Sequence, residues 1–167
     1  PFSFLLPPSL LLSFRSFHSL ISVLPSLPIR ATLKPAWCVI VKREHTGMKV
    51  LTYVGCYTDE KKEGIHIFEA DTETGAFRPV GLVGGIENAT YLSLNKARTR
   101  LYAGLGLPEF GASKVNGAVA AYAIAGDTLL PLNHKPIGVT PPCYVALAPD
   151  EKALVFAEYT NAVAGVF

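Results

Sequence analysis

The sequence predicts an all-β fold built from a repeated unit of four short strands, and three observations carry that prediction. Tyr91-Leu-Ser-Leu94 recurs as Tyr144-Val-Ala-Leu147 at an offset of 53, and Arg100-Leu-Tyr-Ala-Gly104 falls on Ala153-Leu-Val-Phe-Ala157 at the same offset. The repeated pieces are short runs of β-branched, aromatic and small apolar residues separated by turn chemistry. No stretch sustains a helical apolar period with caps at its ends.

Written in order, the repeat gives strands a to d. An early copy holds b at Val50–Tyr57, c at Gly64–Ala70 and d at Phe77–Val83. Tyr53 and Gly55 of its strand b fall on Tyr102 and Gly104 of the next copy, 49 residues on. Asp71-Thr-Glu-Thr-Gly75 joins c to d as a hairpin turn in which Gly75 takes the left-handed position. The middle copy is complete, with a at Tyr91–Leu94, b at Arg100–Leu105, c at Gly117–Ile124 and d at Leu129–Ile137. The last holds a at Tyr144–Ala148, b at Ala153–Glu158 and c at Ala162–Phe167, with Pro149 setting the bend between its first two strands. Gly117-Ala-Val-Ala120 matches Asn161-Ala-Val-Ala164, and Gly64-Ile-His-Ile67 is a looser earlier copy. Four strands in about 50 residues are the signature of a propeller blade. A β-sandwich also uses short strands but does not repeat in register. The expectation is about two and a half blades, the first lacking strand a, forming the N-terminal part of a larger propeller. Propellers close at roughly 4–8 blades.

Residues 1–47 are expected to stand apart as a disordered leader, and 48–167 as the truncated propeller domain. The first 28 residues are almost entirely Phe, Leu, Pro and Ser, with Pro7, Pro8, Pro25 and Pro28 breaking any helix. Arg15 and seven serines spoil a spanning helix. Three readings stay open: upstream sequence translated in frame with Met48, the only methionine; a targeting segment; or a structured extension.

Charge is unevenly placed. Residues 1–47 carry Arg15, Arg30, Lys34, Lys42 and Arg43 against Glu44, whereas 48–167 carry ten basic and twelve acidic groups. The body lacks the basic surface of a nucleic-acid binder. Cys38, Cys56 and Cys143 have neither metal-ligand spacing nor the number for a disulfide framework; free thiols in a reducing, cytoplasmic setting fit them.

Met48-Lys-Val-Leu-Thr-Tyr-Val-Gly-Cys-Tyr-Thr58 followed by Gly64-Ile-His-Ile-Phe resembles the opening of the seven-bladed β-propeller lactonases. This is the 6-phosphogluconolactonase family, related to carboxymuconate cyclases. Asp71–Gly75, Glu87-Asn-Ala-Thr-Tyr-Leu-Ser-Leu94, Gly117-Ala-Val-Ala-Ala-Tyr122, Pro142-Cys143 and Ala148-Pro-Asp150 follow in the same order. The resemblance covers residues 48–167, about a third of a full family member. It implies hydrolysis of a sugar lactone such as 6-phosphogluconolactone to the open acid, with no cofactor or metal, with the small-molecule lactone as partner and with no nucleic acid or membrane. It implies a site at the propeller mouth drawn from several blades, with its remaining polar residues beyond Phe167. The chemistry is water attack on an ester carbonyl, which wants a base and an oxyanion donor.

The best-marked family position in this stretch is a histidine after Pro-Cys, and here Tyr144 stands there. A neutral tyrosine donates a hydrogen bond, but with a reference pKa near ~10 it is a poor base. Tyr144 also matches Tyr91 within the repeat, which suits inner-strand packing as well as a catalytic or substrate role. Glu158, ending an apolar strand, is either a solvated carboxylate or a channel acid or base. Asn88 reads as a turn cap or a substrate contact, Tyr91 as substrate-binding, and Lys114 as a surface lysine or a group facing a phosphate at the rim. His66 is expected on the strand face opposite Ile65 and Ile67, and His134 on the outermost strand. A non-catalytic binding or scaffold propeller is the competing reading.

Overall fold

Eleven strands in three antiparallel sheets make up the structure, a computed structural model that describes residues 39–44 (as backbone), 49–58, 62–107 and 116–167. All lie within one unit, Ala36–Phe167. The first sheet is β1 (Val39–Glu44), β2 (Lys49–Gly55), β3 (Glu63–Asp71) and β4 (Phe77–Gly84), paired in that order. The second is β5 (Glu87–Leu94), β6 (Arg100–Gly106), β7 (Gly117–Ala125) and β8 (Thr128–Pro136); the third is β9 (Tyr144–Leu147), β10 (Leu154–Glu158) and β11 (Val163–Val166). Each sheet is a meander in chain order, as a blade requires. No helix among the described residues is long and apolar enough to cross a membrane.

One expectation is corrected. The first blade does not lack strand a: β1 fills that position and pairs with β2 from Val39↔Gly55 to Glu44↔Val50. Val39-Ile-Val41 is β-branched, and it satisfies the inner edge of β2 with main-chain hydrogen bonds. The boundary at residue 47 therefore cuts through the first sheet. The remainder of the expected leader lies outside the described residues, apart from that strand.

The sheets stack face to face, and alternation along each strand divides the core. Leu101, Ala103 and Leu105 of β6, with Ala118, Ala120 and Tyr122 of β7, face the first sheet, where they meet Leu51, Tyr53, Ile65 and Ile67. Val119 faces the other way and joins Val145, Leu154 and Phe156 of the third sheet. Two glycines explain the sequence repeat physically. A Cβ on Gly55 would lie 2.0 Å from the Ala89 carbonyl oxygen, and one on Gly104 would lie 2.7 Å from Pro142 Cγ. Gly55 and Gly104 are therefore the points where strand b of one blade receives the backbone entering strand a of the next.

The turns repeat as well. Arg98 and Glu151, 53 residues apart, both adopt positive φ (55° and 58°) and donate their N–H groups to the carbonyls of Asn95 and Ala148 at 2.9 Å. Lys96 ties the two turns together, donating its N–H to Glu151 and its ammonium to the Pro149 carbonyl. Gly75 sits at φ 71°, as its turn demands, while Asp71 Oδ1 accepts from the N–H groups of Glu73 and Thr74. The outermost strands share a further device. In β4 the partner of Ile67 is Gly81 and that of Phe68 is Pro79, leaving Val80 unpaired; in β8 Leu132 is skipped beside Pro131.

Candidate active site at the blade mouth

The antiparallel registers bring one end of every blade to a common face. Strands a begin there, strands b end there, and the expected residues Asn88, Tyr144 and Glu158 all fall at that end. Lys114 lies outside the described residues. Tyr91 is three positions into β5 from Asn88, pointing at the third blade.

Tyr91 and Tyr144 come together. Their ring centroids are 4.8 Å apart and tilted by 51°. Burial, with the neighbouring Tyr144 adding to it, raises the Tyr91 phenol above its ordinary value. Tyr91 packs on the core between the second and third sheets, whereas Tyr144 stays 44% exposed. Both sequence readings of these residues thus meet in one pair: Tyr91 packs, and Tyr144 presents a face and a hydroxyl to the mouth.

Asn88 is committed to the seam between blades. Its Oδ1 accepts from the Thr58 N–H, and its own N–H donates to Thr58 Oγ1, both at 3.2 Å. The same residue adopts φ 49°, a left-handed conformation that Asn tolerates better than most. One position repeat later the seam recurs in another form, with the Thr90 hydroxyl donating to the Pro142 carbonyl at 3.2 Å.

Glu158 differs from the solvated reading: it is only 2% exposed. Burial alone would raise its pKa, but donors outweigh it. The Asn161 N–H and side-chain amide and the Thr160 N–H, at 2.6–3.0 Å, hold the carboxyl down to about 2. The two N–H donors lie two and three residues further along the chain, so the carboxylate fastens the β10–β11 turn. An acid held that low is a weak proton acceptor, which separates it from a general base.

Sequence reading missed part of the mouth. Glu87, at the start of β5, pairs with the Lys62 ammonium at 3.1 Å and accepts from the Asn116 amide at 3.1 Å. Tyr57, 47% exposed, follows β2; burial of its hydroxyl end and then the neighbouring Tyr159 and Cys143 raise its pKa. Repeat arithmetic was a signal for Tyr57: an offset of 49 leads to Gly106, and a further 53 to Tyr159. Cys143 donates both its N–H, at 2.9 Å, and its thiol, at 3.3 Å, to the Ala157 carbonyl. His66 and His134 lie on strands c and d, outside the inner strands that carry the expected site residues. His66 faces opposite Ile65 and Ile67 and stacks on Phe68 at 6.3 Å, and His134 is on the outermost strand.

The chain belongs to the seven-bladed β-propeller lactonase family, whose model matches residues 51–167. It is 35% identical over 121 residues to the 6-phosphogluconolactonase of Bacillus subtilis (strain 168), covering 71% of this chain and 33% of that protein. It is 29% identical over 113 residues to a 6-phosphogluconolactonase of Formosa agariphila, covering 65% and 31%. A crystal structure from Bacteroides fragilis NCTC 9343, provisionally named a 6-phosphogluconolactonase, superposes with a TM-score of 0.63 at 28% identity, over 75% of this chain and 33% of that one. The chain thus spans about a third of the length of the curated relatives it matches.

Proposed function

We propose that the protein hydrolyses a sugar lactone of the 6-phosphogluconolactone type to its open acid, a step of carbohydrate metabolism in the pentose phosphate pathway, in the cytoplasm. The observation that supports this most is the family match across residues 51–167, together with relatives named for that activity. In this reading water adds to the ring carbonyl, the ring C–O ester bond breaks, and the departing ring oxygen takes up a proton. The exposed Tyr144 hydroxyl donates to the carbonyl oxygen as it gains negative charge. Lys62 and Lys114 supply positive charge for a phosphate at the rim. Glu158, ionised throughout the physiological range, holds the loop after β10 and contributes negative potential. The base that activates water is assigned to residues outside these three sheets. Asn88 and Tyr91 position the substrate contacts: Asn88 fixes the start of β5, and Tyr91 supports Tyr144.

A second reading, a propeller that binds a sugar without opening it, is favoured by one observation. Tyr144 stands where the family pattern has histidine, and Glu158 is saturated with donors. An assay of lactone disappearance against its spontaneous hydrolysis separates the two. Acceleration by the full chain or by a longer product containing it supports the enzyme. A rate equal to the spontaneous one from both, with sugar binding retained, establishes the second reading instead.

A further inference from the structure

We propose that Tyr57, Tyr144 and Tyr159, with Tyr91 beneath them, form an aromatic rim that packs against the C–H face of the sugar-lactone ring. The choice of that ring rests on the function proposed above; the rim itself rests on geometry. Tyr57 lies two residues beyond strand b of the first blade and Tyr159 one beyond that of the third, at positions equivalent in the repeat. The second blade has Gly106 at the same position, so that position itself places no aromatic side chain between the two tyrosines. A Cβ on Gly106 would lie 2.9 Å from Asn116 Nδ2 and 3.3 Å from Glu87 Cβ, so the space there is held by polar groups. The result is an aromatic wall on each side of a polar blade end. The Lys62–Glu87–Asn116 cluster lies on that polar end.

Burial distinguishes the rim from a core. Tyr159 is 76% exposed, and Tyr57 and Tyr144 are close to half exposed, although most large apolar side chains of the inner strands are buried. Tyrosine suits the task because it offers an apolar ring at low rotamer cost and a hydroxyl at its tip. A pyranose-like ring has the matching character, with C–H bonds on its faces and hydroxyls on its edge. The faces meet the tyrosine rings while the edge hydroxyls reach Glu87 and Asn116.

The test uses 1,5-anhydroglucitol, a six-membered sugar ring without the reactive carbonyl, so that binding is read apart from turnover. Titration into the full chain is followed by ligand proton NMR. Stacking is expected to move ring-face protons upfield, with the apparent Kd rising roughly tenfold in Tyr159→Ala and in Tyr144→Ala. Tyr159→Phe and Tyr144→Phe are expected to restore the upfield shift. Tyr159 is in an exposed turn, so its variants carry the test if Tyr144→Ala fails to fold. Absence of the upfield shift in the unmodified chain overturns the rim, as does an unchanged Kd in Tyr159→Ala. Binding with the expected shifts but no acceleration of lactone opening sustains the rim and sinks the hydrolase reading alone.

Discussion

Substituting Gly55 by alanine tests whether close approach at strand b holds the blades together. The added methyl would lie 2.0 Å from the Ala89 carbonyl oxygen and 3.3 Å from Leu92 Cγ. Ordinary C···O contact begins at about 3.3 Å, so β5 must retreat from β2 by roughly 1 Å. That retreat strains the two Thr58–Asn88 hydrogen bonds, already 3.2 Å long, beyond good geometry. Their loss costs about 2 kcal/mol together. Overpacking adds about 2 kcal/mol, and reduced entropy of the unfolded chain returns somewhat less than 1. The expected destabilisation is about 3 kcal/mol, a large share of the 5–15 kcal/mol typical of a folded domain. Urea unfolding of the full chain followed by far-ultraviolet circular dichroism measures it as a lower midpoint at constant m. Gly85→Ala is the control: Gly85 has φ 73° and nothing within 4 Å of the added methyl, so only left-handed strain of roughly 1 kcal/mol is expected. If Gly55→Ala proves no more destabilising than Gly85→Ala, close contact at Gly55 does not organise the stack.

Three other outcomes follow from the same geometry. Thr58→Ala removes one acceptor and weakens the seam without touching the core, and a loss of about 1 kcal/mol in urea midpoint is expected. Glu158 has a pKa lowered from 4.5 to about 2, so its stabilising contribution is present above 4.5 and is lost as pH falls towards 2; acid unfolding curves should lose that slope in Glu158→Gln. Tyr122 is pushed by burial from 10.0 up to about 12, so above pH 10 the unfolded chain releases its phenolic proton first, and folding is penalised by up to roughly 3 kcal/mol as pH rises from 10 to 12. Tyr122→Phe should shift the alkaline unfolding midpoint upward, as seen by circular dichroism, and a profile identical to the unmodified chain would contradict the assigned burial.

The blades were legible because the repeat is written in contacts. Gly55 and Gly104 recur since each meets the next blade, and Arg98 and Glu151 recur in sequence position because each closes the same turn. Strand β1 was missed because it lies within the compositionally different first 47 residues, and a single strand has no periodicity long enough to oppose that context. At the mouth, the positions of Tyr91 and Tyr144 followed from the repeat, but their contact at 4.8 Å did not. Of the two readings open for Glu158, the solvated one fails because the rule that carboxylates seek water yields where nearby N–H groups supply equivalent donors. The Lys62–Glu87–Asn116 cluster joins residues 29 apart or less in three segments, and no local spacing announces it.

The skipped residues Val80 and Leu132, each next to a proline, decide how this architecture behaves in company. Proline offers no N–H to an incoming strand, and a bulge twists the free backbone out of line. Leu130 and Leu132 are about half exposed on that outer border, a composition that would otherwise invite sheet-to-sheet association. Growth by strand addition is thereby discouraged in the radial direction while face-to-face stacking about the axis stays available. The outer borders of the first two blades are each made a dead end for strand addition by one local irregularity in the backbone.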